Sequence, residues 1–501
     1  MNPAVLKCVC PHCDVPIEYP HELAETTVDC PACQNPLLLT SSPPTDTPAL
    51  PPPENLTTPE LLALFGGPVP RTRVSLFYRL GLLVVTVAML LLPVLYLALI
   101  VAAAWGVWFW ATHFSFLLSS GGGGVRLWLL KLLLYITPLF SGMILVFFMV
   151  KPLFARRPKG AQPLALNPGA EPMLFAFIAK ICETVGAPFP KRVDLDCNLN
   201  AAASFRRGLW SLFGNDLVLT IGLPLVAGLN ITQFAGVLAH EFGHFTQGFG
   251  MRLTYIIRSV NGWFARVVYE RDAWDVMLEE WAETEDGRIA FLVGCARFAV
   301  WCSRLVLKLL MYIGHGIGCF MLRQMEFDAD SYEVKVAGST AFEEAMRRFH
   351  VLGHVTEMSY KQMRVGWNQS RELPDNLPAY LLSLDQTLRE AQRTQIEDRM
   401  GLEATGLFDT HPSNGDRIRA ARRAADPGIF RCDLPATMLF NNFDVPARQV
   451  TMLHYDDDLG IPLAQAKLVK LRPPETPTME LAPEETSNRT MSSSGLRLRG
   501  K

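Results

Sequence analysis

The chain is 501 residues long, half of them hydrophobic, with a formal net charge of −2. So small a charge excludes a global attraction to nucleic acid, and the length exceeds that of one ordinary domain. The apolar excess is gathered into a few uncharged runs, which excludes a uniformly soluble globule.

The first 40 residues hold "CVCPHC" and "CPAC". Cys10 and Cys13 form one C-x2-C pair, and Cys30 and Cys33 form a second after sixteen residues. Two such knuckles offer four thiolates at tetrahedral angles, so residues 1–40 are expected to be a zinc ribbon. Cys8 is a spare thiol able to replace Cys10, although the two-residue spacing favours Cys10. Lys7 is the only Lys or Arg here, against Asp14, Glu18, Glu22, Glu25 and Asp29. Phosphate binding needs positive charge, so the expected ribbon partner is a protein of unknown identity, not nucleic acid. Residues 41–72 are Pro-rich and read as a stiff, disordered linker.

Residues 73–150 carry two uncharged runs, 80–112 and 132–150. Each is long enough to cross a bilayer, for which about 20 apolar residues suffice. Trp105, Trp108 and Trp110 sit where an interfacial belt is expected. Arg71, Arg73 and Arg79 precede the first span; Lys151, Arg156, Arg157 and Lys159 follow the second. The turn between them is poor in charge, so the positive-inside rule puts both outer flanks in the cytoplasm. The expected location is the inner cell membrane, multi-pass, with the N-terminus and the region after about residue 151 cytoplasmic. The first 40 residues show no apolar signal-peptide core.

The segment "ITQFAGVLAHEFGHFTQ" has Phe234, Val237, Leu238, Phe242 and Phe245 at helical spacing. Asn230 or Thr232 is the expected N-cap, with Gly248 and Gly250 as stops. His240 and His244 then lie one turn apart on one side, where both imidazoles can meet a zinc ion at about 2.0–2.1 Å. Glu241 is offset by about 100° around the helix. That offset lets it act on a water beside the metal as general base without being a ligand.

Residues 249–269 and 288–323 are apolar but broken by charge. Arg297, Arg304, Lys308 and His315 make one basic stripe on a helix. Such a helix either lies in the interface or crosses with its basic face inside a bundle. Arg252, Arg258 and Arg266 weigh against a crossing by 249–269, at about 2.5–3.5 kcal/mol each near the bilayer centre. The loop between the two segments carries eight acids and one base.

A peptidase zinc needs a third protein ligand and an open fourth position. In "RQMEFDADSYEVKVAG", Glu326 and Asp330 are four apart and share a helical face. Glu326 is the expected third ligand. Asp330 is the expected holder of the outer nitrogen of a ligating His, fixing its tautomer. Glu326 must reach the zinc of His240, so the chain between them crosses the membrane an even number of times. Two spans and four both satisfy this.

An HExxH helix, an ExxxD helix about 80 residues later and a membrane anchor resemble the M48 peptidases, the HtpX/Ste24-type integral-membrane zinc metalloproteases. The resemblance covers roughly residues 163–418. "NLNAAAS" (198–204) looks like the family's Asn-Ala segment before its edge strand, and "DLVLTIGL" (216–223) like the strand before the active-site helix. "THPSNGDRI" (410–418) looks like its C-terminal His-Pro…Arg motif. The resemblance implies that His411 lies near the reacting carbonyl, with Arg417 as a structural or substrate-side partner. It implies a peptide substrate binding beside Asn198, Asn200, Ala201 and Ala202.

The expected fold class is α+β: a zincin-like metallopeptidase domain, mostly helical, with a transmembrane helical hairpin and a small N-terminal zinc ribbon. The domain spans 151–471, with a second membrane-associated hairpin at 249–323 left open, and 472–501 is a polar, Pro-rich tail. The expected function is a membrane-anchored zinc endopeptidase with one catalytic and one structural Zn2+, with a role in membrane protein quality control implied by the resemblance. The rival is a catalytically inactive membrane scaffold or sensor; an intact Glu241 argues against it, since a binding-only site needs no base.

Overall fold

The computed structural model describes residues 5–9, 16–20, 27–29, 36–38, 56–70, 76–119, 124–154, 163–205, 216–246, 249–270, 277, 280–281, 287–402, 404–406 and 409–470. The chain divides into two units, Met1–Leu56 and Thr57–Lys501. The first contains two antiparallel hairpins. β1 (Val5–Val9) pairs with β2 (Pro16–Pro20), and β3 (Thr27–Asp29) pairs with β4 (Pro36–Leu38). Cys8 lies within β1, opposite Ile17. Cys10, Cys13, Cys30 and Cys33 fall in the two hairpin connections, outside the described residues.

The second unit begins inside the stretch expected to be linker. α1 (Thr58–Ala63) follows Thr57, whose N–H donates to Glu60 Oε2 at 2.9 Å in the first half of a capping box. Leu61 is fully buried, and Phe65 stacks on Phe430 with ring centroids 4.2 Å apart. The Val69 N–H donates to the Thr184 carbonyl at 2.9 Å. Residues 57–70 are therefore a docked strap, and the linker expectation fails for them. Apolar residues at 61, 65 and 69 outweigh the Pro content.

α2 (Leu76–His113) and α4 (Val125–Val150) are the two expected spans, joined through α3 (Phe116–Ser119). Pro93 and Pro138 lie inside α2 and α4 without ending them. Tyr96 Oη donates to the Met149 carbonyl at 2.8 Å and Trp110 Nε1 to the Tyr135 carbonyl at 3.1 Å, so the two helices run antiparallel. Large apolar side chains such as Val84, Val101, Leu130 and Leu133 stay exposed, as lipid-facing positions would.

Residues 164–222 contribute a four-stranded sheet in the order β5–β6–β8–β7. Its strands are β5 (Leu164–Ala165), β6 (Arg192–Asp196), β7 (Ala201–Phe205) and β8 (Leu217–Gly222), with α5 (Pro172–Val185) between the first two. β6 and β8 are parallel; β7 lies antiparallel to β8 and, among the described residues, has no strand on its other edge. The β6–β7 connection passes over the end of β8 at Gly222, where any Cβ would overlap the Asn198 carbonyl.

After α6 (Leu223–Gly228) come α7 (Ile231–Thr246) and α8 (Phe249–Tyr269). α9 (Gly287–Ala337) is 51 residues long, about 77 Å at 1.5 Å per residue. Ile257 packs on Gly318, Asn261 on Gly314, and Arg304 bonds to the Glu270 carbonyl, so α8 and the first half of α9 are antiparallel. Together with α2 and α4 they bury one shared cluster that includes Tyr96, Met149, Ile257, Phe264 and Leu307. Among the described residues, three helical segments are long and apolar enough to cross a membrane: Leu76–Leu118, Val125–Phe154 and Val293–Ala337. α8, with its three arginines, does not qualify by composition, yet it packs beside those that do.

The remaining described helices, α10 (Ser339–Ser370), α11 (Leu377–Thr387), α12 (Glu390–Leu402), α13 (Asn414–Ala424) and α14 (Asp444–Leu453), pack on one another, on α6 and α7, and on the second half of α9. A small parallel pair, β9 (Glu372–Pro374) and β10 (Lys467–Val469), lies beyond α10.

Candidate metal centre and active site

α7 starts as its sequence dictates. Asn230 Oδ1 accepts from the Gln233 N–H at 2.8 Å while the Asn230 N–H donates to Gln233 Oε1, a reciprocal cap. Thr232 is not the cap; its hydroxyl donates to the Cys432 carbonyl at 3.0 Å. At the other end Gly250 lies inside α8, and Gly248 is outside the described residues.

α7 lies close against the second half of α9 because of two glycines seven apart. A Cβ at Gly236 would meet Ala337 Cβ at 3.0 Å, and one at Gly243 would meet the Tyr332 ring at the same distance. That approach brings His240 and His244 under the carboxylates of α9. His240 Nε2 is 3.5 Å from Glu326 Oε2, and His244 Nε2 is 4.0 Å from Glu326 Oε1. The two rings are nearly perpendicular, 4.9 Å apart between centroids.

These three donors lie within 4.8 Å of one another, each buried. Tetrahedral ligands about 2.0–2.1 Å from zinc stand about 3.3–3.4 Å apart. The observed spacings are that set, slightly opened. Nitrogen and carboxylate donors are also what zinc takes, so the residues present fit the ion.

The outer nitrogen of His240 faces acids. His240 Nδ1 is 3.0 Å from Asp330 Oδ1 and 3.7 Å from Glu333 Oε2. Arg417, from the start of α13, donates Nε to Asp330 Oδ2 at 2.9 Å and its terminal nitrogen to Oδ1 at 2.5 Å. Arg417 is thus a structural partner of Asp330. Burial alone would lower the His240 pKa; the Asp330 and Glu326 carboxylates outweigh it and push the imidazole up to about 10 in the metal-free protein. Burial and the neighbouring His240 charge take His244 the other way, down to about 3. Burial likewise works against the Arg417 charge, but Asp330 more than restores it and holds the group above its usual range.

Glu241 points to the sheet. Its Oε2 accepts the Ala203 N–H at 3.1 Å, which fixes that N–H on the free edge of β7. Burial raises the Glu241 pKa above its usual value, against the lowering effects of His240 and the Ala203 bond. His411 Nδ1 is 3.4 Å from Glu326 Oε2 with its side chain 62 % exposed, so it stands at the open side of the donor triangle.

Of the four residues expected to contact substrate, Ala201 and Ala202 are in the edge strand β7 and Asn200 leads into it, its carbonyl accepting the Gly222 N–H. Asn198 is taken up by the turn: its N–H and side-chain amide both donate to Asp196. The sequence reading missed three participants. Ala203 meets Glu241, Glu333 stands behind His240, and Arg258 donates to Glu326 Oε1 at 2.5 Å. Glu333 had a signal, since it follows Glu326 by seven and Asp330 by three and shares their helical face.

Residues 171–425, about half of the chain, match the model of peptidase family M48. The chain belongs to this family. It is accordingly a metalloprotease, and zinc is the metal that M48 metallopeptidases use. It is similar to Protease HtpX of Acinetobacter baylyi, 24% identical over 314 residues covering 61% of this chain and 90% of that protein. Protease HtpX of Psychrobacter sp. is 24% identical over 308 residues, 60% of this chain and 86% of the relative. Protease HtpX of Chromohalobacter salexigens is 26% identical over 214 residues, 42% and 59%. No solved structure matches. The family match leaves residues 1–170, with α2 and α4 among them, outside it.

Proposed function

We propose that the chain is a membrane-anchored zinc endopeptidase of zincin-like fold, with the zinc held by His240, His244 and Glu326. The observation that carries this is one convergence: three donors from two helices meet where Glu241 reaches the free edge of a sheet. A peptide adding as a strand along β7 would bond to its main chain, Ala203 included. Glu241 would exchange its Ala203 bond for the attacking water. When bound, the zinc polarises the scissile carbonyl and acidifies that water. Glu241 takes the proton and returns it to the leaving amine. His411, exposed and beside Glu326, is free to turn toward the developing oxyanion. Asp330 orients His240 through Nδ1, and Arg417 holds Asp330 in place. Recognition through main-chain bonds implies a loose sequence preference.

The active site is assigned to the cytoplasmic side of the inner membrane, on the strength of the basic flanks of the first hairpin. The antiparallel α8–α9 excursion keeps both metal helices on one side, since it returns Glu326 to His240. Residues 1–40 are assigned as a zinc ribbon on Cys10, Cys13, Cys30 and Cys33. Each pair falls in the connection of an antiparallel hairpin, as knuckles require. The acidic excess of residues 1–40 suits a protein partner. A loose specificity at the membrane surface suits membrane protein quality control.

The test is cleavage of an unfolded casein-like protein by the detergent-purified chain. Wild type should cleave, and Glu241→Gln should lose about 10²–10⁴-fold in rate while keeping its zinc. Cleavage by both proteins, or by neither with zinc supplied, would refute the reading.

A further inference from the structure

Arg258 sits on α8, a helix whose Ile257 and Phe264 are fully buried in the four-helix cluster. Its guanidinium leaves that cluster and meets Glu326 Oε1 at 2.5 Å. This is the oxygen that faces His244; the other faces His240 and His411. Glu326 is thus faced by four nitrogen groups, and Arg258 is the one that lies in none of the sequence motifs. The Arg258 side chain is 44% exposed, so the ion pair borders the open side of the site and is not sealed in the core.

A zinc ion in the donor triangle would stand about 2.0–2.2 Å from a Glu326 oxygen. The carboxylate would then be shared between a dication and a guanidinium. Two consequences follow. The guanidinium repels the ion, which weakens its binding. It also draws charge from the carboxylate, leaving Glu326 a poorer donor and the ion a stronger Lewis acid. The bond further fixes the rotation of the carboxylate between the two imidazoles.

We propose that Arg258 is a positioning residue for the metal carboxylate: it sets the orientation and donor strength of Glu326, trading metal affinity for turnover. The inference rests on the zinc-site reading of His240, His244 and Glu326. The two effects run in opposite directions, which separates this role from a structural one. Loss of a merely structural contact loosens the metal and lowers activity together.

The experiment compares wild type, Arg258→Gln, Arg258→Lys and Glu326→Gln in detergent. Zinc affinity is read by competition with a chromogenic chelator, and kcat and KM on an unfolded protein substrate. Arg258→Gln should bind zinc more tightly by about tenfold or more, since even in bulk water a unit charge about 5 Å from a dication is worth that much. Its kcat should fall about 10–100-fold with KM little changed. Arg258→Lys keeps the charge without the fork; its zinc affinity should stay near wild type and its kcat should lie between the other two. Equal or weaker zinc binding by Arg258→Gln would overturn the proposal, as would an unchanged kcat. Glu326→Gln reports on the underlying reading. If it loses no zinc relative to wild type, the site itself is misassigned; if it loses one ion while Arg258→Gln behaves as wild type, only the role of Arg258 fails.

Discussion

Asp330→Asn is the substitution whose consequences the structure specifies most fully. The Asp330 side chain is 7% exposed, accepts two bonds from Arg417 and lies 3.0 Å from His240 Nδ1. Asparagine keeps the shape and one acceptor but removes the charge. Arg417, with its side chain 15% exposed, is then left without its main counter-charge. Removing one partner of a buried pair costs about 3–5 kcal/mol. The remaining acceptor and nearby Glu333 put this case at the low end, about 3 kcal/mol. Separately, His240 loses the group that orients it, which weakens metal binding about 10–100-fold. Arg417→Met should cost a similar amount of stability with a smaller effect on zinc, since Asp330 still faces His240. The double variant should lose less than the sum, by at least about 1 kcal/mol, because neither charge is then stranded. Urea unfolding of chelator-stripped protein, followed by Trp fluorescence, reads the stability, and chelator competition reads the zinc. Additive losses, or a zinc affinity unchanged in Asp330→Asn, would refute the reasoning.

Three further outcomes follow. In the metal-free protein His240 titrates at about 10, above its ordinary 6.5. The stability of that proton is therefore complete below pH 6.5 and lost as pH rises toward 10. Zinc must displace it, while His244 is already neutral, so one proton is released and zinc affinity should rise about tenfold from pH 7 to 8; a flat profile would contradict the His240 environment. Gly222→Ala should abolish cleavage while leaving zinc bound, since its Cβ would overlap the Asn198 carbonyl and stand 2.6 Å from that of Asn200, displacing the turn that leads into β7; wild-type activity would show that the edge strand does not carry substrate. Cys30→Ser with Cys33→Ser should lower the zinc content from two ions per chain to one, read by atomic emission; two ions in the variant would remove the ribbon assignment.

The metal helices were legible because their chemistry and their periodicity coincide. His240 and His244 are four apart within an apolar stripe, and Glu326 and Asp330 are four apart in an acidic one. Local spacing suffices to read such pairs. The strap at 57–70 was not read, because Pro content spoke louder than three apolar residues at fourfold spacing that find Phe430 and Thr184 far along the chain. Arg258 was missed for a related reason. Taken alone, an arginine in an apolar helix is only a burden in lipid, and its partner lies 68 residues away, where no period points. Asn198 was assigned with its neighbours by resemblance, but the crossing at Gly222 gives it to the turn.

The number of spans was undecidable from composition because hydropathy treats every face of a helix alike. That is sound for α2 and α4, which show many apolar side chains to the outside. It fails for a helix covered by its neighbours. α8 is 21 residues long, about 32 Å, close to a hydrocarbon thickness of about 30 Å. Ile257 and Phe264 are fully enclosed by the other three helices, and even Asn261, at 7% exposure, faces Gly314 and Gly318 of α9. Small residues at that spacing let two backbones approach closely, a device of helix pairs that must be held without help from water. Of its arginines, Arg258 is spent on Glu326. What disqualifies α8 as a lone span is therefore what ties it to the metal site: a helix that faced lipid could not hold this arginine, and a helix outside the bundle would have no fixed position from which to reach Glu326.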